Sequence, residues 1–415
     1  MSSSAVDAEI RKNHAAVATI TLLGQHRKPL AKEEVTVAQT NHDFLFGSTG
    51  SSIIALANDE LKSDAKSRAQ SHAQSLTHLF NFVTLPFYWG RFEPKRGQPD
   101  TARIAKTANW FTQRGCGVKG HPLCWHTVCA PWLLEMSDEQ IVQTQLARIR
   151  REVTDFSGLI DMWDVINEVV IMPIFDKYDN GVTRMAKRLG RIGIIRATFD
   201  AAREANPRAI LLLNDFDVSA AYECLLEGCL EAGLRIDAIG IQSHMHQGYW
   251  GVEKTEQVLE RYARYKLPIH FTENTLVSGT IMPPEIVDLN DYQVAEWPTT
   301  PQGEARQAEE VIKHYKTLMA HPLVKAITWW GLEDGGWLKA PSGLLRIDQS
   351  RKPAYDALAN LVKGEWWLPP TKMMTDQDGR LRLEGFAGEY SLARAGKTKT
   401  FKLEAKSENM VEAVL

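Results

Sequence analysis

Short β-prone apolar runs, each closed by polar or turn-forming residues, alternate along the chain with longer stretches whose apolar positions recur at helical spacing. The runs predict strands at 44–48, 82–85, 117–121, 162–167, 210–214, 238–243, 269–272 and 325–330. Between them, helical character is expected at 138–154, 184–206, 252–265 and 302–320. Eight such strand-and-helix repeats predict an α/β fold, a (β/α)8 TIM barrel over residues 44–364. Reactive groups in that fold stand at the carboxyl ends of the strands. His121, Glu168, Asn214-Asp215, Gln242-Ser243-His244 and Glu273 all close or follow predicted strands.

The two ends of the chain follow another rhythm. Val17-Ala18-Thr19-Ile20-Thr21-Leu22 and Val35-Thr36-Val37 are separated by polar turn residues, and they predict a hairpin within an N-terminal segment 1–43. After the break at Trp366-Trp367-Leu368-Pro369-Pro370, the segment 365–415 offers Leu381-Arg382-Leu383, Glu389-Tyr390-Ser391-Leu392 and Thr400-Phe401-Lys402-Leu403. Turns at Asp378-Gly379 and Ala395-Gly396 support strands there. Neither end has enough strands for independent stability, so the two are expected to meet in one small β-sandwich docked on the barrel.

Composition changes this picture little. A chain of 415 residues, 44% hydrophobic and 24% charged, suits a large barrel with a small appendage and argues against disorder. A formal charge of −3 gives no reason to expect a nucleic-acid or membrane partner. Five cysteines, odd in number and sparse, imply no disulfide framework. Free thiols fit a reducing compartment; with no apolar run in the first thirteen residues, a cytoplasmic location is expected. The twelve tryptophans are more telling, because flat indole faces suit sugar faces as well as they fill a core.

The chemistry lies at two strand ends. Trp163-Asp164-Val165-Ile166-Asn167-Glu168 and Ile269-His270-Phe271-Thr272-Glu273 are β-prone runs that each deliver a glutamate. A retaining glycosidase needs such a pair, about 5–5.5 Å apart: one carboxyl to protonate the leaving oxygen, the other to attack the anomeric carbon. A metal reading of His121-x-x-Cys124-x-His126-x-x-Cys129 competes, but on a strand His121 points away from Cys124 and His126, so the four would not converge. Asp176-Lys177-Tyr178-Asp179-Asn180-Gly181 lacks the alternating oxygen ligands of a calcium loop. No metal and no cofactor are expected.

Residues 44–361 resemble glycoside hydrolase family 10, the family of endo-β-1,4-xylanases. Gly120-His121-Pro122-Leu123-Cys124-Trp125-His126 is similar to the family's Gly-His-Thr-Leu-Val-Trp-His, and Trp163 to Glu168 to its Trp-Asp-Val-Val-Asn-Glu. Leu213-Asn214-Asp215-Phe216, Gly240-Ile241-Gln242-Ser243-His244, Phe271-Thr272-Glu273 and Trp330-Gly331 through Trp337 match further family segments in order. The resemblance implies a carbohydrate substrate, with Glu168 as general acid/base and Glu273 as nucleophile. It also implies that Asn167 meets the sugar 2-OH, that His244 contacts Glu273, and that His121 and Gln242 line the subsite of the cleaved sugar. Trp125, Trp330 and Trp337 would wall it.

Departures cluster where the family reads its xylose units. Thr84, Leu85 and Tyr88 stand where the family has Glu, Asn and Lys, so a polar grip on the second sugar becomes mostly apolar, with Tyr88 lining it. Val128 replaces a Gln, and Thr275 an Asp two residues beyond the nucleophile. The expectation is therefore a retaining hydrolase of β-linked glycans of xylan or xylo-oligosaccharide type. The alternatives are a β-glycosidase of shifted specificity and a non-catalytic carbohydrate-binding protein, the latter disfavoured because both glutamates are present.

Overall fold

The structure, a computed structural model, describes residues 3–405 and 407–414. The outermost residues of the expected segments 1–43 and 365–415 lie outside that description. Eight parallel strands close into a barrel: β3 (Leu45–Thr49), β4 (Phe82–Pro86), β5 (Gly117–His121), β6 (Met162–Asn167), β7 (Ile210–Asp215), β8 (Ala238–Met245), β9 (Ile269–Leu276) and β10 (Val324–Trp329), with β10 pairing back onto β3. All eight fall where the apolar runs predicted them, with helices between. The ring closes because side chains of unequal size share the lumen: Phe82 needs glycine on both sides. A Cβ at Gly47 would stand 2.9 Å from its ring and one at Gly117 3.2 Å.

The seventh barrel strand runs past its predicted end at Thr272, so that Glu273 sits inside β9. Polarity after Thr272 reads as a strand end in sequence, yet here the polar side chains are satisfied inside the barrel. Asn274, fully buried, accepts from Ser243 Oγ at 2.6 Å and donates to the Thr328 carbonyl at 2.8 Å. A buried strand can carry Glu-Asn-Thr when neighbouring strands supply the partners.

Two further sheets lie at the chain ends. β1 (Ala15–Leu23) pairs with β12 (Arg380–Phe386) and with β15 (Glu408–Val414), while β2 (Glu34–His42) pairs with β11 (Thr371–Met374) and β13 (Gly388–Arg394), the latter continuing to β14 (Lys397–Leu403). Their inner faces share one apolar cluster, with Ala18, Ile20 and Leu22 against Val35, Val37, Leu383, Tyr390 and Leu392. The predicted hairpin does not form. β1 and β2 belong to opposite sheets: strands from the C-terminal segment flank each of them, and their apolar faces meet across the shared core. The helix Ser3–His14, which the sequence reading left unassigned, packs on the barrel, where Asn13 Nδ2 donates to the Ala320 carbonyl at 2.8 Å. Among the described residues no helix is long and apolar enough to cross a membrane.

Candidate active site

Glu168 follows β6 with φ +56°, a left-handed conformation that a non-glycine residue adopts at some cost. Its amide donates to the Asn214 carbonyl at 2.9 Å, which pins this turn to the next strand. The side chain accepts from Trp125 Nε1 at 2.8 Å, Asn167 Nδ2 at 3.1 Å and Gln242 Nε2 at 3.3 Å. Glu273 accepts from Asn214 Nδ2 at 3.0 Å and meets His244 Nε2 at 3.0 Å. Three side-chain amides join the carboxyls. Gln242 and Asn214 both donate to Asn167 Oδ1, at 3.1 and 2.7 Å, so an unbroken chain of bonds runs from Glu168 to Glu273.

The carboxyls differ in proton affinity. Burial pushes Glu168 up to about 8, aided by the negative charges of Glu273 and Asp215 and opposed by the Trp125 and Gln242 donors. Burial acts on Glu273 in the same direction but loses to the nearby imidazoles of His121 and His244, which hold it below the usual 4.5. Behind His121 lies a buried relay: Asp164 Oδ2 meets His121 Nδ1 at 2.8 Å and Lys119 Nζ at 2.6 Å, and His121 Nε2 stands 3.9 Å from Glu273. From sequence, Asp164 and Lys119 carry no assigned part, and Asn214 is placed only at a strand end, without a role. Opposite charges at facing positions of two apolar strands were the available signal for the first two.

Every residue expected at the site lies around this pair. Tyr88 packs edge-on against His121 and at a tilt against Trp125, both with centroids 5.6 Å apart. Trp330 stands edge-on to His121 at 5.3 Å, and Trp337, 37% exposed, covers His244 at 4.8 Å. Leu85 is placed otherwise. It is fully buried, and a Cβ added at Gly50 would lie 2.9 Å from both Leu85 and Phe111, so its side chain packs beneath the helix Thr101–Thr112 rather than facing sugar. Thr84 is buried, with no hydrogen-bond partner for Oγ1 among the described residues, and the same holds for Thr275 Oγ1 and His244 Nδ1. Of groups that could hold a metal ion, none occurs among the described residues.

Gly240 makes room for Asn214: a Cβ there would stand 2.4 Å from Asn214 Oδ1 and 3.0 Å from its Cβ. Gly240→Ala is expected to cost about 1–3 kcal/mol of stability through overpacking, seen as a lower urea midpoint, and, by displacing Asn214, to lower kcat as well. Unchanged denaturation and turnover would show that Asn214 yields without consequence.

A carboxyl that keeps its proton at neutral pH beside one that does not is what acid-assisted cleavage of a glycosidic bond requires. Set at the mouth of this barrel, the pair defines the class: a glycoside hydrolase. Comparison narrows it. Residues 48–361 match glycosyl hydrolase family 10, and the chain belongs to that family. It is 27% identical over 305 residues to the endo-1,4-beta-xylanase/feruloyl esterase of Xylanibacter ruminicola, covering 66% of this chain but only 40% of that protein. It is 26% identical to endo-1,4-beta-xylanase B of Thermotoga neapolitana over 317 residues, covering 71% of this chain and 84% of the relative. The solved structure of GH10 from Paenibacillus barcinonensis shares the fold, with a TM-score of 0.63 at 24% identity over 77% of this chain and 95% of that one.

Proposed function

We propose that the chain hydrolyses β-1,4-linked chains of xylose type, with retention at the anomeric carbon. Glu273 attacks that carbon as the bond to the leaving oxygen breaks, and Glu168 gives its proton to that oxygen. Water then adds to the glycosyl–Glu273 ester, losing a proton to Glu168 and releasing Glu273 as carboxylate. Asn167, fixed through Oδ1, sits beside Glu168 to meet the sugar 2-OH; His121, Gln242 and His244 floor the cleaved sugar's subsite, and Tyr88, Trp125, Trp330 and Trp337 wall it. The observation that carries the reading is the opposite shift of two buried carboxyls joined by one hydrogen-bond chain. The substrate follows the relatives, which are named endo-1,4-beta-xylanases. Five free thiols among the described residues support a reducing compartment as its place of action.

A second reading, a shifted specificity toward short or modified β-glycosides, is favoured by Tyr88. Its ring stands beside His121 and Trp125 where the family carries a lysine for the second sugar, while Thr84 and Leu85 add no partnered polar group there. Assays on aryl β-xylosides, xylo-oligosaccharides and other β-glycosides separate the two readings, with NMR of the first-formed anomer checking retention. The pH profile follows from the shifts. kcat/KM is expected to fall as pH rises past about 8, where Glu168 loses the proton it must give, and to fall again below the ordinary 4.5, where Glu273 becomes protonated. An α-configured first product, or a profile flat between those limits and beyond, would overturn the assignment.

A further inference from the structure

A glycan cleaved between Glu168 and Glu273 must run between the loop that follows β6 and the loop that follows β9. Those loops are tied to each other. Lys177, from the first, pairs through Nζ with Asp288 Oδ2 at 2.6 Å and Asp291 Oδ1 at 2.7 Å, both from the second. Asp288 caps the turn Leu289–Asp291, in which Asn290 Oδ1 accepts from Trp337 Nε1 at 3.1 Å, so the same few residues also hold the loop after β10. β6 and β10 stand four places apart in a ring of eight. Residues 288–291 therefore link loops rooted on opposite rims of the barrel mouth.

The link has its own footing. Val277, Met282 and Trp297 form a small apolar cluster with Ala340 from the loop after β10, separate from the barrel core. Gln247 Nε2, from the loop after β8, donates to the carbonyls of Pro283 and Ile286 at 2.9 and 2.8 Å. A segment anchored this way holds its position, and its outermost fastening is the exposed ion pair of Lys177, whose side chain is 42% accessible.

We propose that this strap sets the length of chain the site accepts, selecting short β-1,4-linked oligosaccharides over long polymers. An oligosaccharide enters beneath the strap by its end, whereas the interior of a polymer must settle sideways between two loops that are fastened together. The inference rests on the reading of Glu168 and Glu273 as the hydrolytic pair, since that pair defines the path of the glycan. Lys177 touches neither carboxylate, so its part is to position the strap.

The test compares the full chain with Lys177→Ala, and independently with Asp288→Asn/Asp291→Asn, on xylo-oligosaccharides and on soluble linear xylan. Either variant is expected to raise kcat/KM on polymer by about fivefold relative to oligosaccharide, the scale an exposed ion pair can hold. Turnover of an aryl β-xyloside should stay within about twofold, since that small substrate needs no opening of an exposed pair. Salt should mimic the substitution in the wild type alone, because charges this exposed are screened over about 8–10 Å at moderate ionic strength. A polymer-to-oligosaccharide ratio that is the same in all three proteins and at all salt concentrations would overturn the strap. Binding of the same glycans to Glu273→Ala gives the ratio without turnover, so the strap and the hydrolytic reading can fail separately.

Discussion

Glu273→Ala is expected to abolish turnover of every glycoside, lowering kcat by at least about 10⁴-fold, the scale on which removal of a nucleophile disables other covalent catalysts. The loss follows from what Glu273 does and from where it sits. It is 4% exposed and held as an anion by Asn214 and by the imidazoles of His121 and His244. Neither Glu168 nor Asp164 can take over: Glu168 retains its proton up to about 8, and Asp164 is tied to Lys119 and His121. Alanine also leaves a cavity lined by donors, so a small anion such as azide should bind there and attack the anomeric carbon from the vacated face. An activated β-glycoside then gives the α-glycosyl azide, a product of single inversion. Steady-state kinetics with NMR of the product checks both outcomes. A loss below about tenfold would remove Glu273 from the bond-breaking step.

The barrel was legible in the chain because eight apolar runs, each ending where the fold places its reactive groups, obey one period and one polarity. Glu168 shows how much such a boundary can carry: the change from Ile166 to Asn167-Glu168 marks both the strand end and the carboxyl we propose as the acid. Less was legible where partners come from distant strands. Asp164 reads as an interruption of an apolar run until Lys119, one strand away, is seen at 2.6 Å. Asn214 reads as a strand terminator, although it ties Asn167 to Glu273 and depends on a glycine at 240 for its space. Leu85 stands in sequence where the family binds sugar, but strand alternation turns it toward the helix layer. The hairpin failed for a similar reason. Alternation in β1 and β2 specifies an apolar face for each strand but not which strand will flank it.

The departures behind Glu273 bear on how the two carboxyls come to differ in proton affinity. His244 meets Glu273 through Nε2, while its Nδ1 and the neighbouring Thr275 Oγ1 have no partner among the described residues. The ionised state of Glu273 thus rests first on His121, which Asp164 holds from behind through Nδ1, and then on the Nε2 of His244. Glu273 kept charged in this way leaves its negative field on Glu168, and that field is one of the forces that raise the proton affinity of Glu168.

Glu168→Ala is expected to be selective where Glu273→Ala is not. With the acid gone, the leaving oxygen departs as an anion, so the loss depends on how well the leaving group bears charge. Unactivated oligosaccharides should lose about 10²–10⁴-fold in kcat/KM, the range general acid catalysis contributes. Aryl glycosides with acidic phenols, which need no proton, should lose far less in the first step. Their second step still suffers, because Glu168 also takes the proton from the attacking water, so the glycosyl–Glu273 ester should accumulate and give a burst of phenol followed by slow turnover. Azide relieves this second step, and here its product is the β-glycosyl azide, the opposite anomer from that of Glu273→Ala, because it enters on the face Glu168 vacates. The basic limb near pH 8 should vanish in the same variant, since the group that titrates there has been removed. Equal losses across leaving groups, or a basic limb that survives, would assign the proton to a different residue and leave Glu168 a structural acceptor for Trp125, Asn167 and Gln242.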